Sequence, residues 1–253
     1  MGHIIALVNQ KGGVAKTTTA INLAASLNKR KKKILLVDFD PQANATSGLG
    51  IDKHEVKTSV YDCIINDVQV QEAILPTYRK NLDLLPSSMD LAGAEQELGA
   101  LDDHGLRLKK VLSPVVDDYD YILIDCAPSL GMLTINALGA ADEIYIPIQC
   151  EYYALEGVEQ LMQTVRLVKQ AYNPELAVGG IIMTMYDGRM RLAKEVVASV
   201  AEAFGDVVFK TRIPRNVKLA EAPSYGRAII DYEALSKGAL AYNNLAREVL
   251  KRG

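Results

Sequence analysis

Cysteine is scarce in this chain of 253 residues: only Cys63, Cys126 and Cys150 occur, and none shares C-x-x-C spacing with another. That pattern excludes a disulfide framework and a cysteine-based metal site, and it fits a reducing compartment. His3, His54 and His104 are dispersed and form no ligand set. No apolar run approaches the roughly 20 residues that a membrane span requires. No signal peptide precedes the first strand, so the expected location is the cytoplasm. A dominant charge is missing too. With a net charge of −3, no global field draws the chain to nucleic acid or acidic lipid, and any DNA binding must come from a local patch. The densest positive run, Lys29-Arg30-Lys31-Lys32-Lys33, falls where a helix should end and reads as a solvated terminus. No repeat, low-complexity stretch or long linker divides residues 1–253, which predicts a single domain.

The hydrophobic share of 49% is ample for a full core. Apolar runs at residues 3–9, 34–37, 82–85, 121–124, 143–148 and 177–185 read as strands, with 207–209 a weaker one. Helical spacing separates them, at 18–27, 92–98, 106–116, 155–171 and 237–251. Continuous apolar strands alternating with helices predict an α/β fold: a twisted, mostly parallel sheet with helices on both faces. Ligands in such sheets sit beyond the carboxyl ends of the strands. Three strand ends carry conspicuous chemistry and should converge on one site.

The first is Lys11-Gly12-Gly13-Val14-Ala15-Lys16-Thr17-Thr18, between strand and helix. A Gly-rich turn there aims backbone N–H groups at one point at the positive end of a helix, a geometry that binds phosphate. Lys16 supplies a point charge for the β- and γ-phosphates, and the Thr17 hydroxyl can ligate Mg2+. The pattern G-x-x-x-x-G-K-[ST] fails twice, at Gln10 and Ala15. In exchange the loop holds a second lysine, Lys11, one explanation for which is contact with a nucleotide held by a partner subunit. At Ala15 a Cβ costs about 1–2 kcal/mol if the backbone needs positive φ, and nothing if φ is negative.

The second end is Asp38-Phe39-Asp40-Pro41-Gln42 and the third Asp125-Cys126-Ala127-Pro128-Ser129. Asp125 closes an apolar strand, as expected of an aspartate in the Mg2+ shell of a nucleotide hydrolase. Asp40 is assigned to the attacking water, in a loop free to move before Pro41. Asp38 serves the metal's outer shell or buttresses the loop.

These residues together resemble the ParA/MinD group of ATPases with the deviant phosphate loop K-G-G-x-x-K-[ST], most of all chromosomal ParA proteins of the Soj type. The likeness runs nearly end to end. It includes residues 9–14, 36–42, 44–50, 91–95, 119–125, 128–131, 149–157, 213–218 and 221–224. The resemblance implies a P-loop NTPase fold and a dimer formed around two ATP molecules, with Lys11 reaching nucleotide across the interface. It implies that Lys16 and Thr17 bind phosphate and Mg2+, that Asp40 serves the attacking water and that Asp125 lies near the metal. Pro214 and its neighbours Arg215 and Asn216 would line the adenine pocket. It further implies slow ATP hydrolysis, non-specific DNA binding by the ATP dimer, and release from the nucleoid when a ParB partner stimulates turnover. Chromosome segregation and control of replication initiation follow from that cycle.

DNA binding of this kind is electrostatic. Arg189, Arg191 and Lys194 form one candidate group; Lys210, Arg212, Arg215 and Lys218 form another. In Soj-type relatives the positions matching Arg189 and Lys218 carry DNA binding, so these two are selected. No helix-turn-helix precedes the first strand. Two alternatives are weighed: a MinD-like membrane ATPase, which requires an amphipathic C-terminal extension with bulky apolar residues where 242–253 read as a packing helix, and a nucleotide switch in which Ala15 has abolished turnover. An iron–sulfur reductase is a poor third, since no second cysteine is placed to partner Cys126.

Overall fold

The computed structural model describes residues 2–151 and 156–252. Its strands are β1 His3–Leu7, β2 Ile34–Phe39, β3 Leu75–Pro76, β4 Leu82–Leu85, β5 Tyr121–Cys126, β6 Glu143–Gln149 and β7 Ala177–Thr184. They form one sheet in the order β3-β4-β2-β5-β1-β6-β7. All neighbours run parallel except the short edge strand β3, which is antiparallel to β4.

Each apolar strand divides its side chains between two cores, because successive residues point to opposite faces. Leu35 and Val37 join Ile122, Ile124, Ile144 and Ile146 on one face. Ile34 and Leu36 join Ile5, Leu7 and Leu123 on the other. The second face is covered by the helix Lys16–Asn28 and the C-terminal helix Lys237–Arg252. Their Leu23, Leu27, Tyr242 and Leu245 are fully buried, and Thr19 and Tyr242 share a hydrogen bond of 3.1 Å between their hydroxyls. The C-terminal helix thus spends its apolar stripe on the core. Among the described residues no helix is long and apolar enough to cross a membrane.

Two expected elements differ. Residues 207–209 do not form a strand: Gly205 at φ 59° ends the helix Arg191–Phe204, a 3-10 turn follows, and only Val208 bridges to Ile181. Phe209 then turns its ring inward, edge-on to Tyr145. The helix expected over 106–116 stops at Leu112, two residues before Pro114, which has no N–H to donate. The Tyr152-Tyr153 pair, within the stretch 149–157 of the family likeness, lies outside the described residues.

Strand register levels the site. Leu7 of β1 and Asp38 of β2 are both Cα partners of Asp125 in β5, which runs between them. The three strand ends marked in the sequence therefore meet beyond the carboxyl ends of the central strands.

Candidate active site

The phosphate loop leaves β1 already anchored. Asn9 donates through Nδ2 to the Pro147 carbonyl at 2.8 Å, and its Oδ1 accepts the Lys11 amide at 2.9 Å. From Gly12 to Thr18, no backbone amide donates to any described residue. A run of free N–H groups at the start of a helix is a cradle for an anion. Two left-handed residues shape it, Gly13 at φ 76° and Ala15 at φ 68°, ψ 36°. Val14 is buried, and its carbonyl accepts the Thr184 hydroxyl at 3.0 Å, which ties the loop to β7.

Ala15 therefore falls in the costly branch of its two possibilities. Left-handed backbone suits glycine, and a Cβ there costs about 1–2 kcal/mol. Ala43, after the Asp40 turn, has φ 53°, and Met185, in the wall of the neighbouring cleft, has φ 50°. Three of the six non-glycine residues with positive φ among the described residues thus border this site, as strain at ligand-binding positions often does.

Lys16 is buried, with its Nζ donating to the Lys11 carbonyl at 3.3 Å. Burial lowers its pKa, and the charges of Asp125 and Asp40 oppose that shift. Asp125 is fully buried, and neither carboxylate oxygen accepts a hydrogen bond among the described residues. Its pKa is raised well above the ordinary value, first by burial and then by Asp38; the nearby Thr17 hydroxyl, outside hydrogen-bond geometry, and Lys16 oppose this. An orphaned buried carboxylate facing an ammonium and a threonine hydroxyl is a fit site for a divalent cation. No three acidic, histidine or cysteine side chains cluster as a complete metal cage among the described residues. A cation here must take further oxygens from its ligand, the habit of Mg2+ at phosphates.

Both carboxylate oxygens of Asp38 are engaged within the chain. Its Oδ2 accepts both the amide and the hydroxyl of Thr46 at 2.7 Å, and its Oδ1 accepts the Asp40 amide at 3.3 Å. These bonds offset part of the burial that lifts its pKa to about 6. With its lone pairs so engaged, Asp38 is a poorer first ligand for a metal than Asp125. Asp40 departs from expectation, since its turn is not loose. Asp40 is 8% exposed, its Oδ1 accepts the Gln42 amide at 3.0 Å, and its carbonyl accepts the Ala43 amide at 2.9 Å.

Pro214, Arg215 and Asn216 line a cleft of about 350 Å3 together with Ala15 and Thr18 of the loop. An isolated bridge from Pro214 to Tyr186 holds this segment, and Asn216 accepts the Lys218 amide at 2.8 Å, capping the short helix Val217–Glu221. Met185 and Tyr242 complete the wall. Both had been legible only as strand end and helix face. Lys11 is exposed, and its Nζ pairs with Glu151 at 3.0 Å, a partner nothing in the sequence singled out. Glu151 also accepts the Gln149 side-chain amide.

The two cations selected for DNA lie outside the cleft. Arg189 is paired with Asp187 at 2.6 Å, which holds the Asp187 carboxyl well below its usual range. Lys218 pairs with Glu221 at 2.8 Å and lies 5.8 Å from the Tyr232 ring centre. The Tyr186–Pro214 bridge brings their two segments to one edge.

Residues 2–178 match the AAA domain family. The chain is 53% identical over 253 residues, all of both chains, to the sporulation initiation inhibitor protein Soj of Bacillus subtilis. It is 53% identical over 252 residues to the chromosome-partitioning ATPase Soj of Treponema pallidum, covering 100% of this chain and 98% of that one. A crystal structure from Mycobacterium smegmatis, described as cobyrinic acid a,c-diamide synthase with bound ATP analog and magnesium, superposes with a TM-score of 0.87. It is 37% identical and covers 99% of this chain and 95% of its own. The chain belongs to the ParA/MinD family of deviant phosphate-loop ATPases, and within that family to the Soj type.

Proposed function

We propose that the chain is a DNA-partitioning ATPase that uses ATP and Mg2+. The observation that carries this reading is the pairing of an unpartnered amide cradle at 12–18 with the orphaned buried carboxylate of Asp125. An anion site and a cation site face each other there. The cradle and Lys16 hold the β- and γ-phosphates. Thr17 and Asp125 hold the magnesium, which neutralises phosphate charge when bound. The cleft at Pro214–Asn216 takes the adenine. Asp40 orients the attacking water, with Asp38 and Thr46 fixing its turn. Lys11 crosses to the nucleotide of a second copy, so two subunits close around two ATP molecules. Arg189 and Lys218 then present charge to DNA without reading sequence. A ParB-type partner speeds hydrolysis and releases the protein from the nucleoid. The partitioning names of relatives matched along the entire chain support this assignment over that of the diamide synthase.

ATP turnover of the wild type and of Asp40→Ala, with DNA and a ParB-type partner, tests the reading. The wild type should turn over slowly and be stimulated. Asp40→Ala should lose roughly 100-fold or more in turnover and keep its ATP-dependent DNA binding. A wild type that binds ATP and never hydrolyses it, with or without DNA and partner, would instead identify a nucleotide switch.

A further inference from the structure

The helix Met132–Ala140 begins after Gly131, which has no side-chain oxygen to cap it. Its acceptor comes from a residue 37 positions away, Glu95. The Glu95 carboxylate accepts the Met132 amide through Oε2 at 2.6 Å and the Leu133 amide through Oε1 at 3.5 Å. A carboxylate there satisfies donors that the first helical turn cannot pair by itself, and it suits the positive end of the helix dipole. Glu95 forms no ion pair among the described residues.

Gly131 makes the close approach possible. A Cβ at that position would lie 2.5 and 2.6 Å from the two carboxylate oxygens of Glu95. The carboxylate is also presented from a firm base. Its own helix, Ala94–Gly99, buries Ala94 and Leu98 in the core that holds Leu133 and Ala137. Exposed Glu97 ties the same helix to Tyr61, whose hydroxyl it accepts at 3.2 Å.

Residues 127–131 join the clamped helix to the end of β5, directly after Asp125 and Cys126. Because β5 runs between β1 and β2, this segment leaves the sheet between the phosphate loop and the Asp40 turn. The amides of Ala127, Ser129, Leu130 and Gly131 donate to no described residue. The Ser129 hydroxyl is buried without a partner, while the Ser129 carbonyl accepts the Thr134 hydroxyl at 2.7 Å. Free donors beside the orphaned Asp125 carboxylate call for an oxygen-rich ligand, and the terminal phosphate of a bound nucleotide is one.

We propose that Glu95 is a positioning residue for ATP hydrolysis, holding residues 127–131 so that their free amides and the Ser129 hydroxyl meet the γ-phosphate and the attacking water. The inference rests on the ATPase reading above and adds to it a residue outside the nucleotide cleft. The test is single-turnover hydrolysis of Mg2+-ATP by the full-length protein, with ATP affinity and melting temperature measured beside it. Glu95→Ala should lower the hydrolysis rate about ten-fold or more, since a small misplacement of groups around the reacting atoms is costly. Its ATP affinity should stay within about two-fold of wild type, the mark of an interaction made only in the transition state. Glu95→Gln keeps an acceptor for the Met132 amide and should recover most of the rate. Gly131→Ala probes the same clamp from the other side, because its methyl group displaces the carboxylate. It should match Glu95→Ala, and the double variant should lose no more than either single one.

A wild-type rate in Glu95→Ala, even with a lower melting temperature, would make Glu95 a structural cap and overturn the proposal. Rate and ATP affinity falling together, or losses that add in the double variant, would overturn it too. In each of these cases a wild type that hydrolyses ATP leaves the ATPase reading standing. A wild type that binds ATP and never hydrolyses it would overturn both.

Discussion

Ala15 concentrates the residue-scale physics of the site. Its φ of 68° places a methyl group where glycine is at ease, and yet the loop keeps its free amides. Ala15→Gly removes the strain of about 1–2 kcal/mol and adds unfolded-chain entropy of about 0.4–1 kcal/mol. The net expectation is a melting temperature higher by a degree or two, measured without nucleotide; a lower one would show that the methyl packs productively. Lys11 is the second single residue with a consequence. In the cross-subunit role proposed for Lys11, its ion pair with Glu151 at 3.0 Å would have to open first. Glu151→Gln should leave the melting temperature unchanged, since exposed pairs contribute little. It should also lower the ATP concentration at which the dimer forms, measured by light scattering after size exclusion. A requirement for more ATP would mean that Glu151 supports the dimer.

At the scale of elements, strand ends made most of the site legible. Apolar runs ending in Asp38 and Asp125, and a Gly-rich turn after the first run, suffice to place three groups beyond the carboxyl ends of the central strands. The register Leu7–Asp125–Asp38 supplies the level. What the sequence could not reveal depends on contacts between distant segments. The Thr46 donors to Asp38, the Glu151 partner of Lys11 and the inward ring of Phe209 all come from other elements. The turn at Asp40 is tight because its bonds are local, a detail that Pro41 alone does not dictate.

The acidic strand ends have a stability cost without nucleotide. Asp125 lacks hydrogen-bond partners among the described residues, and Asp38 has its pKa raised from 3.8 to about 6. A carboxyl whose folded pKa is raised holds its proton longer in the folded state. Stability then falls as pH rises from about 4 through 6. Asp125→Asn should therefore melt about 2–6 °C above the wild type at neutral pH in chelator, with the gap closing toward pH 4. The same variant should lose Mg2+-dependent ATP binding. A variant that melts lower at every pH would show that the Asp125 charge is stabilised within the chain itself.

Over the whole molecule, opposite needs are separated in space. The sheet buries the carboxyls of Asp38 and Asp125 at the ends of its central strands, while lysines and arginines without ion pairs among the described residues gather around the C-terminal helix. A net charge of −3 leaves no long-range attraction to DNA, so the DNA binding proposed above would depend on how local patches are assembled. If ATP closes two subunits, two such patches act together, and affinity becomes steep in both nucleotide and salt. DNA binding measured with ATP, with ADP and without nucleotide, across a salt series, tests this most directly. The predicted result is binding that requires ATP and falls steeply with salt; equal binding in all three states would contradict it.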